Sequence, residues 1–310
     1  MLAKPSRLRS HATIAVIAPA SPVRSWDKLE RGIRYLESLG YSVVVGDSVN
    51  HADGYLAGSD QLRAREIERF FADPTVAAIF CARGGYGTMR LLELLDWDLI
   101  RRHPKLFVGF SDVTALQWAL LARAGMPSLS GLMVGVDFDR PDPTYEALFW
   151  SLLTEPRAET LLWQGTPDDV LLTGYAEGPL LAGTLTLIAA LCGTPYLPPL
   201  DNCILLLEDI GEHSYRLDRM LCQLMLSGVL QQCSGLAFGT FIPPSSEPPS
   251  TPERPLRQIF VEYIERARPS AAVMNLPYGH IPTKISVPVG LRARLDAERQ
   301  QLVLLEPLVC

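Results

Sequence analysis

Short apolar runs alternate with amphipathic segments along the first half of the chain. The runs lie at residues 13–18, 41–45, 76–82 and 106–110. Continuous apolar runs of this length are typical of strands that are buried on both faces. Between them, apolar residues recur every three or four positions, as at Leu29, Ile33 and Leu36, which predicts helices. The alternation predicts a parallel sheet that is covered by helices on both faces.

Capping and turn-forming residues divide these predicted elements. Ser25 and Ser59 stand where an N-cap is expected, just before the amphipathic segments. Gly40 and Gly125 stand just past predicted helix ends, where glycine commonly adopts a left-handed conformation. Ligands of such sheets bind at the carboxyl ends of the strands, so a functional site is expected in the loops after the apolar runs.

The second half of the chain is predicted to be a separate domain. A polar, Pro-rich stretch at 137–143 and a mixed stretch at 154–169 break the alternation. We therefore predict an N-terminal α/β domain at residues 1–150, a linker at 151–175 and a C-terminal domain at 176–310. The patterns of the second half predict helices at 181–191 and 217–226, strands at 204–207 and 235–241, a Pro/Ser-rich loop at 243–255 and a hairpin after Ser286.

Composition and charge narrow the function classes. The chain has 310 residues, of which 48% are hydrophobic and 20% charged, and this globular composition leaves room for two ordinary domains. Its net charge is −6 and it has no long basic run, so a nucleic-acid partner is not expected. No window approaches the ~20 apolar residues of a membrane-spanning helix, and the N-terminus lacks the apolar core of a signal peptide. We therefore predict a soluble, cytoplasmic protein with no membrane partner.

The cysteines do not form a recognisable metal or redox motif. The chain has six, with neither a C-x-x-C pair nor a histidine at zinc-ligand spacing. Most lie in apolar runs, as Cys81 and Cys222 do, which is typical of buried, reduced thiols. No metal site is predicted.

A serine follows one of the apolar runs in a setting that suits a nucleophile. The segment 105–114 joins an apolar strand to a helix predicted at about 112–124 through Gly-Phe-Ser. This arrangement is similar to a nucleophile elbow, a tight strand-to-helix turn that exposes a serine oxygen. The second glycine of the usual motif is replaced by Val113. Ser111 is a candidate nucleophile, and the alternative is that Ser111 or Asp112 simply caps the helix.

A glycine-rich turn follows another apolar run. The segment 83–87 reads Arg-Gly-Gly-Tyr-Gly and comes directly after the strand predicted at 76–82. Consecutive glycines let backbone N–H groups approach a ligand, so the turn is a candidate phosphate or oxyanion site, or else a structural turn. It matches neither the G-x-x-x-x-G-K-[ST] nor the G-x-G-x-x-G nucleotide-binding fingerprint.

Two further segments offer an acid and a base. Glu208 and Glu212 follow the strand predicted at 204–207, where a carboxylate is well placed to orient a histidine. The alternatives are solvated loop residues or metal ligands, and the sequence shows no partners for a metal site. His280 lies in a loop rich in glycine and proline, and His213, beside Glu212, is the rival base. A nucleophilic serine needs a base within hydrogen-bond reach and an acid that orients the base. The chain offers candidates for each of these roles.

Eight segments, in one order along nearly the whole chain, carry a family resemblance. They are IAVIAPASP at 14–22, GYLAGSDQLRA at 54–64, RGGYG at 83–87, GFSDVTAL at 109–116, GTPY at 193–196, LEDIGE at 207–212, YRLDRML at 215–221 and GHIPTKISVPVG at 279–290. Together they resemble the LD-carboxypeptidases, the muramoyltetrapeptide carboxypeptidase family of serine peptidases.

The resemblance implies a fold and a site. The implied fold is an N-terminal parallel-sheet α/β domain similar to class I glutamine amidotransferases, with a smaller, β-rich C-terminal domain. The implied catalytic triad is Ser111, Glu208 and His280, drawn from both domains, with the site in the cleft between them. It also implies an oxyanion hole of backbone N–H groups, which we place at Gly84 or Gly85 and at Asp112. A free substrate carboxylate needs a cationic or N–H partner, and Arg83 is a candidate by its position. Many members carry Asn where this chain has Thr184. This departure does not touch the triad residues, and it is expected to alter specificity if the residue at this position helps to shape the substrate site.

The resemblance also implies a reaction and a setting. The reaction would be cofactor-free and metal-free hydrolysis of the amide that joins an L-configured centre to the terminal D-alanine of a murein tetrapeptide. Family members recycle peptidoglycan peptides in the cytoplasm and are often homodimers, so a small murein peptide and a second copy of the chain are the expected partners.

Three alternatives stay open. Microcin C self-immunity peptidases, in the same family, use a triad of this kind on an aminoacyl-nucleotide toxin. For such a substrate Trp150 and Trp163 would be base-stacking platforms, although we interpret them first as core or interface residues. A cysteine-dependent amidotransferase would need Cys81 as its nucleophile, yet no elbow surrounds that residue. A binding protein without turnover is the third alternative.

Overall fold

The chain forms two compact units. The computed structural model describes residues 2–139, 142–244 and 252–310. The first unit comprises Met1–Arg157, Ser286–Gly290 and Pro307–Cys310, and the second comprises Ala158–Ile285 and Leu291–Glu306.

A six-stranded sheet forms the centre of the first unit. Its strands are β1 (Thr13–Ile17), β2 (Ser42–Val45), β3 (Val76–Cys81), β4 (Leu106–Gly109), β5 (Ser128–Ser130) and β12 (Val287–Val289). Their order is β12-β5-β4-β3-β1-β2, and every neighbouring pair is parallel except β12 with β5, which is antiparallel. The parallel sheet that the apolar runs predict is therefore confirmed.

Each of the strands β1 to β5 is followed in the chain by a helix. These helices are α1 (Trp26–Ser38), α2 (Asp60–Ala72), α3 (Trp97–Arg102), α4 (Thr114–Ala119) and α5 (Pro143–Thr154). The predicted N-caps are confirmed, since Ser25 Oγ accepts from the Lys28 N–H at 3.3 Å and Ser59 Oγ accepts from the Leu62 N–H at 3.2 Å. The helix predicted from residue 112 begins two residues later because Ser111–Val113 forms a 3-10 turn. It then continues as a π-helical turn, which ends before Gly125.

An eight-stranded mixed sheet forms the second unit. Its strands are β6 (Thr160–Gln164), β7 (Val170–Leu172), β8 (Tyr175–Thr184), β9 (Cys203–Ile210), β10 (Cys233–Ile242), β11 (Ala271–Val273), β13 (Arg292–Asp296) and β14 (Gln301–Leu304). Their order is β6-β14-β13-β8-β9-β10-β11-β7. The four strands from β8 to β11 are parallel, and the flanking pairs are antiparallel.

The described part of the second unit contains four helices. They are α6 (Leu185–Leu191), α7 (Ser214–Leu226), α8 (Val229–Gln232) and α9 (Leu256–Ala267). No helix in the described part of either unit is long and apolar enough to cross a membrane.

The predicted linker at 151–175 is wrong. This stretch holds the end of α5 and the strands β6 and β7, and the two units divide between Arg157 and Ala158 rather than near residue 150. β6 and β7 are the two outermost strands of the eight-stranded sheet. Both strands are short, and the polar stretches beside them, at 155–159 and 165–169, give the region the composition of a loop.

The predicted C-terminal domain at 176–310 also needs correction. Residues 286–290 and 307–310 belong to the first unit, where β12 pairs with β5 at the sheet edge. Pro288 is compatible with this place because an edge strand leaves one side without ladder partners. The predicted hairpin is confirmed further along, between β13 and β14.

Two further predictions concern local structure in the second unit, and they have different outcomes. The helix predicted at 181–191 begins at Leu185, because residues 181–184 complete β8 as one of the buried central strands. The Pro/Ser-rich loop predicted at 243–255 lies in part, at residues 245–251, outside the described residues.

Candidate active site

Ser111 lies in a tight turn between β4 and α4. Its backbone φ is +67°, in the left-handed region that non-glycine residues seldom adopt and that marks strained, functional turns. The turn is tight because Gly109 has no side chain: a Cβ there would lie 2.4 Å from Val113 Cγ1. The strand-turn-helix geometry of a nucleophile elbow is therefore confirmed at Ser111. Its role as a nucleophile stays a prediction.

The glycine-rich turn after β3 lies directly against this elbow. A Cβ added to Gly84 would lie 2.8 Å from Ser111 Cβ, 2.9 Å from the Phe110 carbonyl oxygen and 3.2 Å from the Asp112 nitrogen. Gly84 therefore lets two backbone segments approach more closely than any side chain would permit. The predicted oxyanion donors, on the turn and at Asp112, come from these two adjacent segments.

The glycine-rich turn requires glycine at position 85 for a different reason. The φ of Gly85 is +117°, which favours glycine, and a Cβ there would lie 2.3 Å from Ser21 Oγ. Ser21 Oγ in turn accepts a hydrogen bond of 3.0 Å from the Tyr86 N–H. The loop after β1 thus fixes the shape of the glycine-rich turn.

The Asp112 side chain ties the elbow to the end of the glycine-rich turn. Its Oδ2 accepts from the Thr88 N–H at 2.9 Å, and Thr88 Oγ1 donates to the Asp112 carbonyl oxygen at 2.5 Å. The residue is buried, and this burial raises the pKa of the Asp112 carboxyl. The side chain is therefore structural, and the predicted oxyanion role falls to the Asp112 backbone N–H.

Arg63 is a supporting residue that sequence reasoning missed. It is 1% exposed, and its Nη1 donates to the carbonyl oxygens of Pro19 at 2.7 Å and Gly87 at 3.1 Å. It also pairs with Asp60. Arg63 thus joins the loop after β1 to the end of the glycine-rich turn. The signal in the sequence is an arginine on the helix stripe that also carries Ile67, a position that an apolar residue usually occupies.

Arg83 was predicted to bind a substrate carboxylate. Its Nη1 donates to the Pro22 carbonyl oxygen at 2.7 Å. Burial lowers the pKa of the guanidinium, and the nearby Arg24 lowers it further. Two like charges near one half-buried position favour an anion there, but the substrate contact of Arg83 stays a prediction.

Glu208 and His280 form a hydrogen-bonded pair in the second unit. Glu208 lies near the carboxyl end of β9 and is fully buried, whereas the His280 side chain is 19% exposed. His280 Nδ1 lies 2.8 Å from Glu208 Oε2. An ionised carboxylate only accepts, so Nδ1 donates in this bond and Nε2 has the lone pair of the neutral imidazole. This is the acid–base arrangement of a catalytic triad.

Close backbone packing brings the His280 loop to β10. A Cβ on Gly239 would lie 2.2 Å from the Tyr278 carbonyl oxygen, and the Thr240 N–H donates to that oxygen at 2.8 Å. Gly279 has a φ of +155°, near the edge of the region that favours glycine. The loop that follows β11 is therefore fixed against the strand next to the one that carries Glu208.

Two threonines bind the consecutive acids of β9. Thr184 Oγ1 donates to Glu208 Oε1 at 2.5 Å. Thr186 donates to Asp209 Oδ2 through its backbone N–H and through Oγ1, each at 2.8 Å. Burial raises the pKa of Asp209 to about 6. Neither threonine contact was predicted from the sequence.

The rival base, His213, has a different partner. His213 Nδ1 lies 2.7 Å from Glu253 Oε1, and the Ser214 N–H donates to the other oxygen of Glu253 at 2.7 Å. His213 precedes α7 in this arrangement. Glu208, the acid predicted for a triad, is thus paired with His280 and not with His213.

The structure brings the predicted site residues together in two groups. Ser111, Gly84 and Asp112 are adjacent in the first unit, and Glu208 pairs with His280 in the second. The joining of the two groups into one triad stays a prediction. Among the described residues, no group of three His, Cys, Asp or Glu side chains is placed to hold a metal ion.

An elbow serine on an α/β sheet and an acid-paired histidine are the components of a serine hydrolase. Family models identify the class more narrowly. Residues 14–131 match the LD-carboxypeptidase N-terminal domain and residues 177–295 match the LD-carboxypeptidase C-terminal domain. The chain therefore belongs to the LD-carboxypeptidase family.

Individual relatives are similar to this chain over nearly its full length. The probable murein peptide carboxypeptidase of Bacillus subtilis is 35% identical, over 97% of this chain and 94% of its own length. A crystal structure of muramoyltetrapeptide carboxypeptidase from Oxalobacter formigenes is 35% identical, with a TM-score of 0.82 over 94% of this chain and 98% of that one. Microcin C7 self-immunity protein MccF of Escherichia coli is 23% identical over 93% of this chain and 91% of its own length. A wild-type MccF structure, 21% identical with a TM-score of 0.89 over 99% of both chains, shares the fold.

Proposed function

We propose that this chain is a cytoplasmic serine LD-carboxypeptidase that removes the terminal D-alanine from murein tetrapeptides during peptidoglycan recycling. Ser111 is the nucleophile, His280 the general base and Glu208 the acid that orients the base. The observation that carries the proposal is the 2.8 Å bond between His280 Nδ1 and a fully buried Glu208, in a chain that also has an elbow serine. The murein substrate is supported by the relatives named for it at 35% identity.

The proposed residues account for both halves of the reaction. His280 Nε2 takes the Ser111 proton as Ser111 Oγ attacks the carbonyl carbon, and Glu208 stabilises the imidazolium that forms. Backbone N–H groups at Gly84 or Gly85 and at Asp112 stabilise the oxyanion, and removing one such donor typically costs about 3–4 kcal/mol of barrier. The C–N bond breaks as His280 protonates the leaving amine. Water then attacks the acyl-enzyme, with His280 again as the base.

The same proposal covers the substrate carboxylate and the assembly. Arg83, which is half-buried beside Arg24, is the proposed partner of the free carboxylate of the terminal residue. The chain is further proposed to act as a homodimer, which light scattering on the purified protein would test by its mass.

A second candidate is cleavage of an aminoacyl-nucleotide toxin, supported by the relation to MccF. Two aromatic residues weigh against it. Trp163 is 6% exposed, and Trp150 packs with Tyr41 and Phe138 at ring-centroid distances of 5.4 and 6.2 Å. Both rings are therefore engaged in packing, which favours the core interpretation over base stacking.

Mass spectrometry of a murein tetrapeptide, L-Ala-D-Glu-diaminopimelate-D-Ala, incubated with purified protein tests the proposal. The wild type and the Ser38→Ala control, which alters an exposed serine of α1, should release D-alanine. Ser111→Ala should be slower by a factor on the order of 10⁶ in kcat. No release by a folded wild type would refute the murein proposal. Amino-acid release from an aminoacyl-nucleotide in a parallel reaction would then select the second candidate.

A further inference from the structure

Thr184 and Glu208 lie opposite each other on two adjacent central strands. Thr184 is the last residue of β8, and it is the direct partner of Glu208 in the parallel pairing of β8 with β9. Thr184 is 4% exposed and Glu208 is fully buried. The Thr184 hydroxyl lies 2.5 Å from Glu208 Oε1, and a carboxylate cannot donate, so the hydroxyl donates.

The two oxygens of Glu208 therefore have different partners. Oε1 accepts from Thr184, and Oε2 lies 2.8 Å from His280 Nδ1. A buried carboxylate needs donors to remain ionised, and a bond to an ionised acceptor is stronger than one between neutral groups. With one oxygen fixed by Thr184, the carboxylate plane is fixed as well, and this sets the position of the oxygen that His280 meets.

The position of the Thr184 hydroxyl is itself constrained. Threonine is branched at Cβ, which restricts rotation about its first side-chain bond. Two residues on, Thr186 binds Asp209 through both its backbone N–H and its hydroxyl. The turn from β8 into α6 is therefore attached to β9 at two successive positions, and the register that places Thr184 opposite Glu208 cannot slip without breaking both attachments.

We propose that Thr184 is a positioning residue whose hydroxyl holds the Glu208 carboxylate in the orientation that His280 requires. The inference rests on the proposed function, because it assigns Thr184 a role through the acid of the proposed triad. Thr184 does not contact the reacting atoms in this role.

Kinetics of three variants provide the first test. Thr184→Val removes the hydroxyl, Thr184→Ser retains it, and Thr186→Val is the matched control that removes a hydroxyl bonded to Asp209. Loss of one hydrogen bond to a buried charge should lower kcat of Thr184→Val by roughly 10- to 100-fold with KM little changed. Thr184→Ser should recover most of this loss, and Thr186→Val should retain most of the wild-type kcat. Thr184→Ala replaces Thr184→Val if the latter does not fold.

NMR of the His280 ring separates positioning from general damage, because Nδ1 contacts the Glu208 carboxylate. The ring resonances, assigned with a His280→Asn variant, should change in chemical shift in Thr184→Val, where the Glu208 oxygen that Nδ1 contacts is no longer fixed. They should be unchanged in Thr186→Val, whose lost hydroxyl is bonded to Asp209.

The outcomes are distinguishable. An active wild type whose kcat and His280 chemical shifts are unaltered by Thr184→Val would overturn the role of Thr184 and leave the proposed function intact. The NMR measurement needs no turnover. Changed His280 chemical shifts in Thr184→Val together with an inactive wild type would refute the proposed function while supporting the contact between Thr184, Glu208 and His280.

Discussion

The two halves of the proposed site are held in place by different means. Ser111 is positioned by the backbone: a left-handed φ, a neighbouring glycine at 109 and the close approach of Gly84. Glu208 and His280 are positioned by side-chain hydrogen bonds at a buried strand end. The first half should therefore be most sensitive to added atoms, and the second to lost donors and to changes of charge.

Both halves nevertheless share one device. The residue that follows the predicted nucleophile, Asp112 after Ser111, and the residue that follows the predicted acid, Asp209 after Glu208, are both buried acids with a raised pKa. Each of these acids accepts hydrogen bonds from a threonine of a neighbouring segment, Thr88 or Thr186. Each therefore attaches a functional loop to the adjacent part of its own unit.

Among the changes that compare the two halves, the one with the largest effect is expected in the nucleophile half. In Gly84→Ala the new Cβ would meet Ser111 Cβ and the Phe110 carbonyl oxygen within 3 Å, so the elbow or the turn must move. Displacement of an oxyanion donor should lower kcat by about 10²–10³-fold. Steady-state kinetics with a murein tetrapeptide would measure this.

Gly125→Ala is the matched control for that substitution. Gly125 also has a positive φ, +64°, but a Cβ there would meet nothing within 4 Å. It should cost about 1 kcal/mol of stability with kcat unchanged. If Gly84→Ala is as active as Gly125→Ala, steric sensitivity of the nucleophile half is refuted.

A smaller effect on stability is expected in the acid–base half. The pKa of Asp209 is raised from its unfolded value of 3.8 to about 6, so the folded state holds its proton more tightly. The stabilisation from this proton is fully present below about pH 4 and is lost as pH rises through 6. Urea unfolding should show the free energy of unfolding of the wild type, relative to Asp209→Asn, falling by about 3 kcal/mol over that interval. A difference independent of pH would contradict the raised pKa.

The smallest effect is expected from thiol alkylation. Cys81 is fully buried, and this burial raises its thiol pKa, so little reactive thiolate forms. Iodoacetamide should leave the activity of the native enzyme within a factor of about two. The exposed Cys310 should be labelled, and mass spectrometry of that residue shows that the reagent worked. Inactivation that follows modification of Cys81 would instead support the cysteine-dependent amidotransferase.

Prediction from the sequence succeeded where the signal was local. The apolar runs predicted the parallel sheet of the first unit, and Ser25 and Ser59 predicted helix starts that the structure confirms. The Gly-Phe-Ser segment predicted the turn at Ser111 because a strand, a turn and a helix follow one another directly. In each of these cases the periodicity or the capping chemistry lies within a few neighbouring residues.

Prediction from the sequence failed where the structural role of a residue or strand depends on a partner that is distant in the chain. The linker predicted at 151–175 misses the edge strands β6 and β7, because they are short and lie beside polar stretches. β12 was assigned to the C-terminal domain, although it pairs with β5 of the first unit. Arg63 was overlooked because a charged residue on a helix is usually solvated, and its carbonyl partners lie in two other loops.

The sequence alone predicts the alternation of strands and helices in the first half of the chain, the family resemblance and the residue types available for a serine mechanism. These follow from local periodicity, from capping and from motifs that remain intact along the chain. Which acid is hydrogen-bonded to which histidine, and which threonine donates to that acid, depends on the tertiary structure. Contacts such as Thr184 to Glu208 depend on the register of two strands, and register is set by the packing of the whole sheet rather than by neighbours in the chain.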